Sequence, residues 1–220
     1  MIKGGIIMDR INIGCGSNPS KGWLNFDNTP AIKLANSPLK YHIAKLFGLL
    51  NKTHIENIEW NKKQKINYAD ATKSIPLPSN SVEAIYTSHM FEHLSREGAK
   101  SFLYEAKRIL KIGGVLRVSV PDLKIYVEKY LNNEDADEFM TGILVEAPPI
   151  NTLKQKVFLF LNGYRHHQWM YDGKSLSILF KEFGLKNIKI CKDGETTIKN
   201  SIGLDLFERG KNSVYVEGTK

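Results

Sequence analysis

Two glycines and a series of spaced acids outline a nucleoside-type site. Ile11-Asn12-Ile13-Gly14-Cys15-Gly16 is a short apolar run that ends on a glycine turn. Without Cβ atoms the backbone can come close to a ligand, which makes Gly14, Cys15 and Gly16 candidates for that contact. Asp27 follows Gly16 by 27 − 16 = 11 residues. A carboxylate there suits the paired hydroxyls of a ribose. A dinucleotide fingerprint has a third glycine, and its acid lies about 20 residues on. Here Pro19 stands in place of that glycine. A phosphate loop is excluded, because no glycine loop is followed by Lys and Ser or Thr. Asp70-Ala71 offers an acceptor for the exocyclic amine of adenine. Ser88-His89-Met90 supplies polar and apolar groups to flank an adenosyl moiety.

Candidates for moving a proton are His93, His167 and Asp172. Glu92 precedes His93 and is placed to orient it; the other reading of Glu92-His93 is a helix cap or loop anchor. His167 lies beside Trp169 and Tyr171, with Asp172 as a carboxylate to pair with it. The same segment also reads as an aromatic anchor for the last helix, with His166 at the surface. Cys15 and Cys191 are far apart and form neither a disulfide framework nor a metal-ligand spacing, so no metal site is expected.

The elements that must position these groups are short strands alternating with helices. Strands are expected at Arg10–Ile13, Trp23–Asp27, Ile66–Tyr68, Val82–Thr87, Val115–Val120, Asn187–Cys191 and Ser213–Val216. Only Gly16–Gly22 separates the first two, which is too short for a full crossover helix. Apolar spacing predicts helices over Ser37–Leu50, Ser95–Lys111, Leu123–Leu131, Thr152–Leu161 and Lys174–Phe183, with Gly113-Gly114 stopping the second. The pattern implies a largely parallel sheet with helices on both faces and ligands at the strand C-termini. A single domain over 1–220 is expected, with insertions near 30–62 and 132–165.

The motifs together resemble a class I S-adenosylmethionine-dependent methyltransferase, of the group associated with cell-surface polysaccharide and small-metabolite methylation. Ile11–Gly16 resembles the family's first motif, and Gly22-Trp23-Leu24-Asn25-Phe26-Asp27 its acidic second-strand motif. Asp70-Ala71, and Leu77-Pro78 with Tyr86–His93, resemble the next two. Arg108–Gly114 with Leu116–Asp122 is the most specific match. His167–Asp172 and Ser213–Glu217 resemble C-terminal signatures of the subgroup. The resemblance implies a Rossmann-like seven-stranded sheet with its last strand antiparallel. It implies S-adenosylmethionine as cofactor, held by Asn12, Gly14, Cys15, Gly16, Asp27, Asp70, Ala71, Ser88, His89 and Met90. Asn12 stands where the family commonly has an acid that helps hold the methionyl amine.

Composition narrows the class. Hydrophobic residues make up 42% and charged residues 25%, ordinary for a soluble globular chain. No run nears the roughly 20 apolar residues of a bilayer span. Met1–Met8 lacks a signal-peptide pattern, Met8 is a candidate start after a disordered extension, and a cytoplasmic location is expected. The net charge is 31 − 23 = +8, with lysines spread along the whole chain, so nucleic acid is not the expected partner. The acceptor is expected to be a small-molecule or saccharide hydroxyl. The alternatives are an RNA methyltransferase or a cofactor-binding subunit without activity. No Asn-Pro-Pro-Tyr-type motif follows the fourth strand, and Tyr126…Lys129 lacks the Tyr-x-x-x-Lys spacing of a nicotinamide-linked sugar-nucleotide enzyme.

Overall fold

A computed structural model describes residues 9–146, 166–207 and 210–220. Seven strands form one sheet: β1 Arg10–Ile13, β2 Leu24–Asp27, β3 Asn67–Tyr68, β4 Val82–Ser88, β5 Leu110–Pro121, β6 Lys186–Cys191 and β7 Ser213–Thr219. Their order is β3-β2-β1-β4-β5-β7-β6. The pairs from β3 through β5 are parallel, and β7 runs antiparallel to both β5 and β6. This is the Rossmann-like sheet expected, with its reversed last strand. The sheet is covered on both sides: Ile85 enters the main apolar cluster, while Ala84 and Tyr86 join Trp23 in another.

No helix forms between β1 and β2. Side chains hold this short crossover instead. Asn12 Nδ2 donates to Asn18 O and Ser20 Oγ, and Asn25 Nδ2 donates to Ser20 O. Buried amides thereby satisfy loop carbonyls that a helix would have satisfied internally.

The helix expected over Ser37–Leu50 forms but is shorter, α2 Pro38–Leu46, and two further helices flank it, α1 Pro30–Ala35 and α3 Lys52–Gln64. The apolar stripe predicted for α2 lies mostly in solvent, with Leu46 82% exposed, and Tyr41 is its buried residue. Asn51 caps α3 by accepting from His54 N, and Lys65 ends it at φ 55°. α3 is mostly polar and buries only Ile58 and Asn61, so its periodicity is faint.

α4 spans Arg96–Ile109, capped by Ser95, with Ala99, Phe102, Leu103, Ala106 and Ile109 buried. It stops at Ile109, ahead of Gly113-Gly114, because buried Leu110 pairs with Val82 and opens β5 early. Residues 111–114 then bulge out of register, helped by Gly113 at φ +78°. α5 covers Leu123–Asn133. A further helix, α6 Ala136–Ile143, capped by Asp135, follows it. Met1–Met8 and the expected helix at Thr152–Leu161 lie outside the described residues. α7 covers Gly173–Glu182 and packs against β6 and β7.

Candidate active site

The strand C-termini deliver the expected groups to one cleft of about 510 Å³. Gly14, Gly16, Asp27, Asp70, Ala71, His89 and Met90 line it, joined by Thr29 and Thr72, which the sequence reading did not single out. Gly14 has φ +69°, and a Cβ there would collide with Met90 Cγ and Cβ, so only glycine fits beneath that side chain. Gly16, at φ +49°, would point a Cβ into open space, leaving its backbone face bare toward a ligand. The turn is tied down by Gly14 N and Cys15 N, which both donate to Phe26 O.

Asp27 sits at the floor of the cleft. Its Oδ2 accepts from Gly16 N and its Oδ1 from Thr29 N, each at 2.9 Å. A carboxylate has about four acceptor sites, so two remain for ligand hydroxyls. Asp70 is held at the rim: its Oδ1 accepts from Thr72 N and Thr72 Oγ1, and Lys73 Nζ lies 3.0 Å from Oδ2. Partial burial pushes its pKa up, but the bonds from Thr72 and Lys73 outweigh that and hold it below the ordinary value.

Three expected contacts fall outside the cleft lining: Asn12, Cys15 and Ser88. Asn12 is buried behind the turn and braces the β1–β2 crossover. The Cys15 side chain packs with Ile32 and Ile66. Burial, and then the nearby Asp27 charge, push its thiol pKa far up, so it stays protonated.

A second group of residues closes one end. After β4 the chain makes a 3₁₀ turn at Phe91–His93, and Glu92 is buried there with 1% exposure. The distant 166–171 segment docks on this turn. Gln168 N and Trp169 N donate to Glu92 O, and Gln168 Nε2 donates to His93 O. Arg96 clamps the same segment, lying over the Trp169 ring and donating to Tyr171 Oη. That docking carries His167 to within 5.0 Å of His93, ring centre to ring centre. His93 Nε2 and His167 Nε2 each lie 3.9 Å from Glu92 Oε1, and His89 Nδ1 lies 3.4 Å from it. Burial lowers the His167 pKa, and the Glu92 charge pulls the other way.

The expected pairing of His167 with Asp172 is not made. His167 Nδ1 is taken by Ile143 O at 2.8 Å. Asp172 is the N-cap of α7, where it accepts from Ser175 N and the Ser175 side chain answers in a capping box. That bond from Ser175 holds its carboxyl below the ordinary value. Glu92 stands beside His93 as expected, and the docking of residues 166–171 adds His167 as a third imidazole around it, a contact that no local pattern signals.

A second cavity, of about 450 Å³, adjoins the cluster and is lined by His89, Pro121, Tyr126, Leu144, His167, Lys211 and Asn212. His89 borders both spaces, His93 the first and His167 the second.

Residues 11–118 match the methyltransferase domain family. The chain carries a class I S-adenosylmethionine-dependent methyltransferase domain. No curated protein matches the methyltransferase. Among solved structures it is similar to a SAM-dependent methyltransferase from Thermotoga maritima, at 15% identity and TM-score 0.49, over 96% of this chain and 81% of that one. It is similar to another from Methanosarcina mazei at 13% and 0.49, over 96% and 91%. Phosphoethanolamine N-methyltransferase 2 of Haemonchus contortus, solved with S-adenosyl-L-methionine, gives 12% and 0.46 over 96% and 48%. S-adenosylmethionine is this chain's cofactor. The residues present fit such a ligand: a bare glycine backbone, an acid with open acceptor sites and a rim acid lie around one cleft.

Proposed function

We propose that this methyltransferase acts on a hydroxyl of a small molecule or saccharide. The observation that carries the reading is the Glu92, His89, His93 and His167 cluster at the junction of the two cavities. A hydroxyl must lose its proton to become a good nucleophile, and such a cluster of basic groups favours that loss. When bound, the cofactor supplies an electrophilic methyl group on a sulfonium.

The chain's own residues then divide the work. Asp27 accepts from the ribose hydroxyls, and Asp70 with Ala71 holds the adenine edge. Gly14 and Gly16 let the backbone meet the methionyl portion, with Asn12 bracing the loop behind them. His89 and Met90 flank the adenosyl moiety. His93 and His167, grouped around Glu92, stand where the acceptor hydroxyl gives up its proton. The second cavity's volume lies within the usual range of small-molecule pockets, roughly 300–1,000 Å³. Lys211 on its wall favours an anionic acceptor. No helix among the described residues is long and apolar enough to cross a membrane.

The test is a methyl-transfer assay read by mass spectrometry. Sugar nucleotides, glycan fragments, simple amines and tRNA are offered side by side. Methylation of a hydroxylated small molecule is the expected result. Transfer to tRNA alone, or to amines alone, overturns the reading.

A further inference from the structure

The cluster at the junction presents acceptors to acceptors. His93 Nδ1 bonds to His166 O at 3.0 Å, and His167 Nδ1 to Ile143 O at 2.8 Å. A carbonyl only accepts, so in each neutral ring the proton sits on Nδ1 and the lone pair on Nε2. Both lone pairs face the Glu92 carboxylate, which is 1% exposed, and neither of its oxygens has a hydrogen-bond partner. His89 Nδ1, nearby, is also without one. A buried carboxylate left so costs several kcal/mol, and a cation removes the cost.

A single extra proton completes only one of these contacts. A metal ion completes them together. One ligand atom from each of Glu92, His93 and His167 lies within 4.8 Å of the others, so small side-chain rotations bring all three onto one centre. A ligating histidine characteristically donates its other ring N–H to a carbonyl or carboxylate, as both do here. Two imidazoles and one carboxylate form the donor set of three-ligand zinc sites with an open fourth position.

We propose that Glu92, His93 and His167 bind a divalent transition-metal ion of the zinc class, whose open position faces the acceptor. The ion lies between the cofactor cleft and the second cavity, because its ligands border both. There it lowers the pKa of an acceptor hydroxyl. The hydroxyl proton leaves to solvent and the oxygen's electron pair forms the new oxygen–methyl bond. The sulfur–methyl bond breaks with its pair remaining on sulfur, so the sulfonium becomes a neutral thioether. This role rests on the hydroxyl-acceptor reading; the metal site itself does not.

The experiment uses untagged full-length protein stripped with a chelator. Zinc chloride is titrated by calorimetry, and cobalt chloride by visible absorption. One equivalent of each is expected, with cobalt d–d bands of a four- or five-coordinate nitrogen and oxygen site. Loss of a supporting contact around a metal costs about 10–100-fold in affinity, and loss of a ligand costs no less. His93→Ala, His167→Ala and Glu92→Gln should therefore each weaken binding at least tenfold. Should Glu92→Gln fail to fold, the two histidine variants and the zinc-dependent rise in wild-type melting temperature decide the matter. Absence of one-equivalent binding, or unchanged affinity in both histidine variants, overturns the proposal. Cofactor titrations on the same samples separate the claims. Lost metal binding with intact cofactor binding removes the metal alone. Retained metal with no hydroxyl methylation removes the acceptor reading alone.

Discussion

Two glutamates, each 1% exposed, are treated in opposite ways by this fold. Glu217 on β7 is fully partnered. Arg117 Nη1 donates to it at 2.6 Å, Thr196 Oγ1 at 2.6 Å and Thr197 N at 2.7 Å, with Thr197 Oγ1 also donating. Glu92 receives no hydrogen bond and faces three imidazoles. The first belongs to the scaffold: it ties residues 195–197 to the strands through Arg117 and the threonines. The second lies where two cavities meet, with its unmet bonding capacity turned toward ligands. A buried charge that is satisfied stabilises its surroundings, whereas one left unmet marks a place where binding completes the structure.

The largest effect is expected at the scaffold carboxylate. Glu217→Ala leaves Arg117 buried and unpaired, and should cost about 3–5 kcal/mol in urea unfolding. Glu92→Gln in metal-free protein loses no hydrogen bond and should cost at most about 1 kcal/mol. Similar losses in the two variants would break the contrast.

Asp27→Ala comes next. Two charge-assisted bonds to a ligand are together worth about 3 kcal/mol or more, so cofactor affinity should fall about 100-fold by calorimetry. An unchanged dissociation constant would place the ribose elsewhere.

A third test uses pH. Burial pushes the Glu217 carboxyl up, but the bonds from Thr196, Thr197 and Arg117 outweigh this and hold its pKa below the ordinary 4.5. A depressed folded pKa means stability that is present above the unfolded value and lost as pH falls through the folded one. Unfolding free energy should therefore decline below pH 4.5 in the wild type, with a flatter acid limb in Glu217→Gln. Parallel acid limbs would contradict the assignment.

The smallest effect is at Asp172. Loss of its cap should cost about 1 kcal/mol. A fall in turnover beyond the loss of folded protein would return Asp172 to the role of base that its place in the sequence suggests.

Local patterns carried most of the sheet and the lining of the first cleft. Ile11–Gly16, Asp27 and Asp70 were legible because each lies at the end of a short apolar strand, and such ends converge in a parallel sheet. The insertions were less legible. The stripe in α2 reads as a buried face, yet most of it meets solvent, and α3 is too polar to show a period. The two candidate histidines, His93 and His167, were found by residue type. Glu92 was legible as the neighbour of His93 but not as a partner of His167, since Glu92 and His167 are 167 − 92 = 75 residues apart.

The amino-acid sequence by itself determined the strand-turn motifs, the glycine backbone at the cleft and the early acid of β2. These depend on residues close along the chain, whose steric and hydrogen-bonding preferences act locally. Only the tertiary structure decided that Asn12 braces a loop and that Glu92 is buried among His89, His93 and His167. Burial, and the choice of partner for a charged group, arise only once segments distant in sequence exclude water from the space between them.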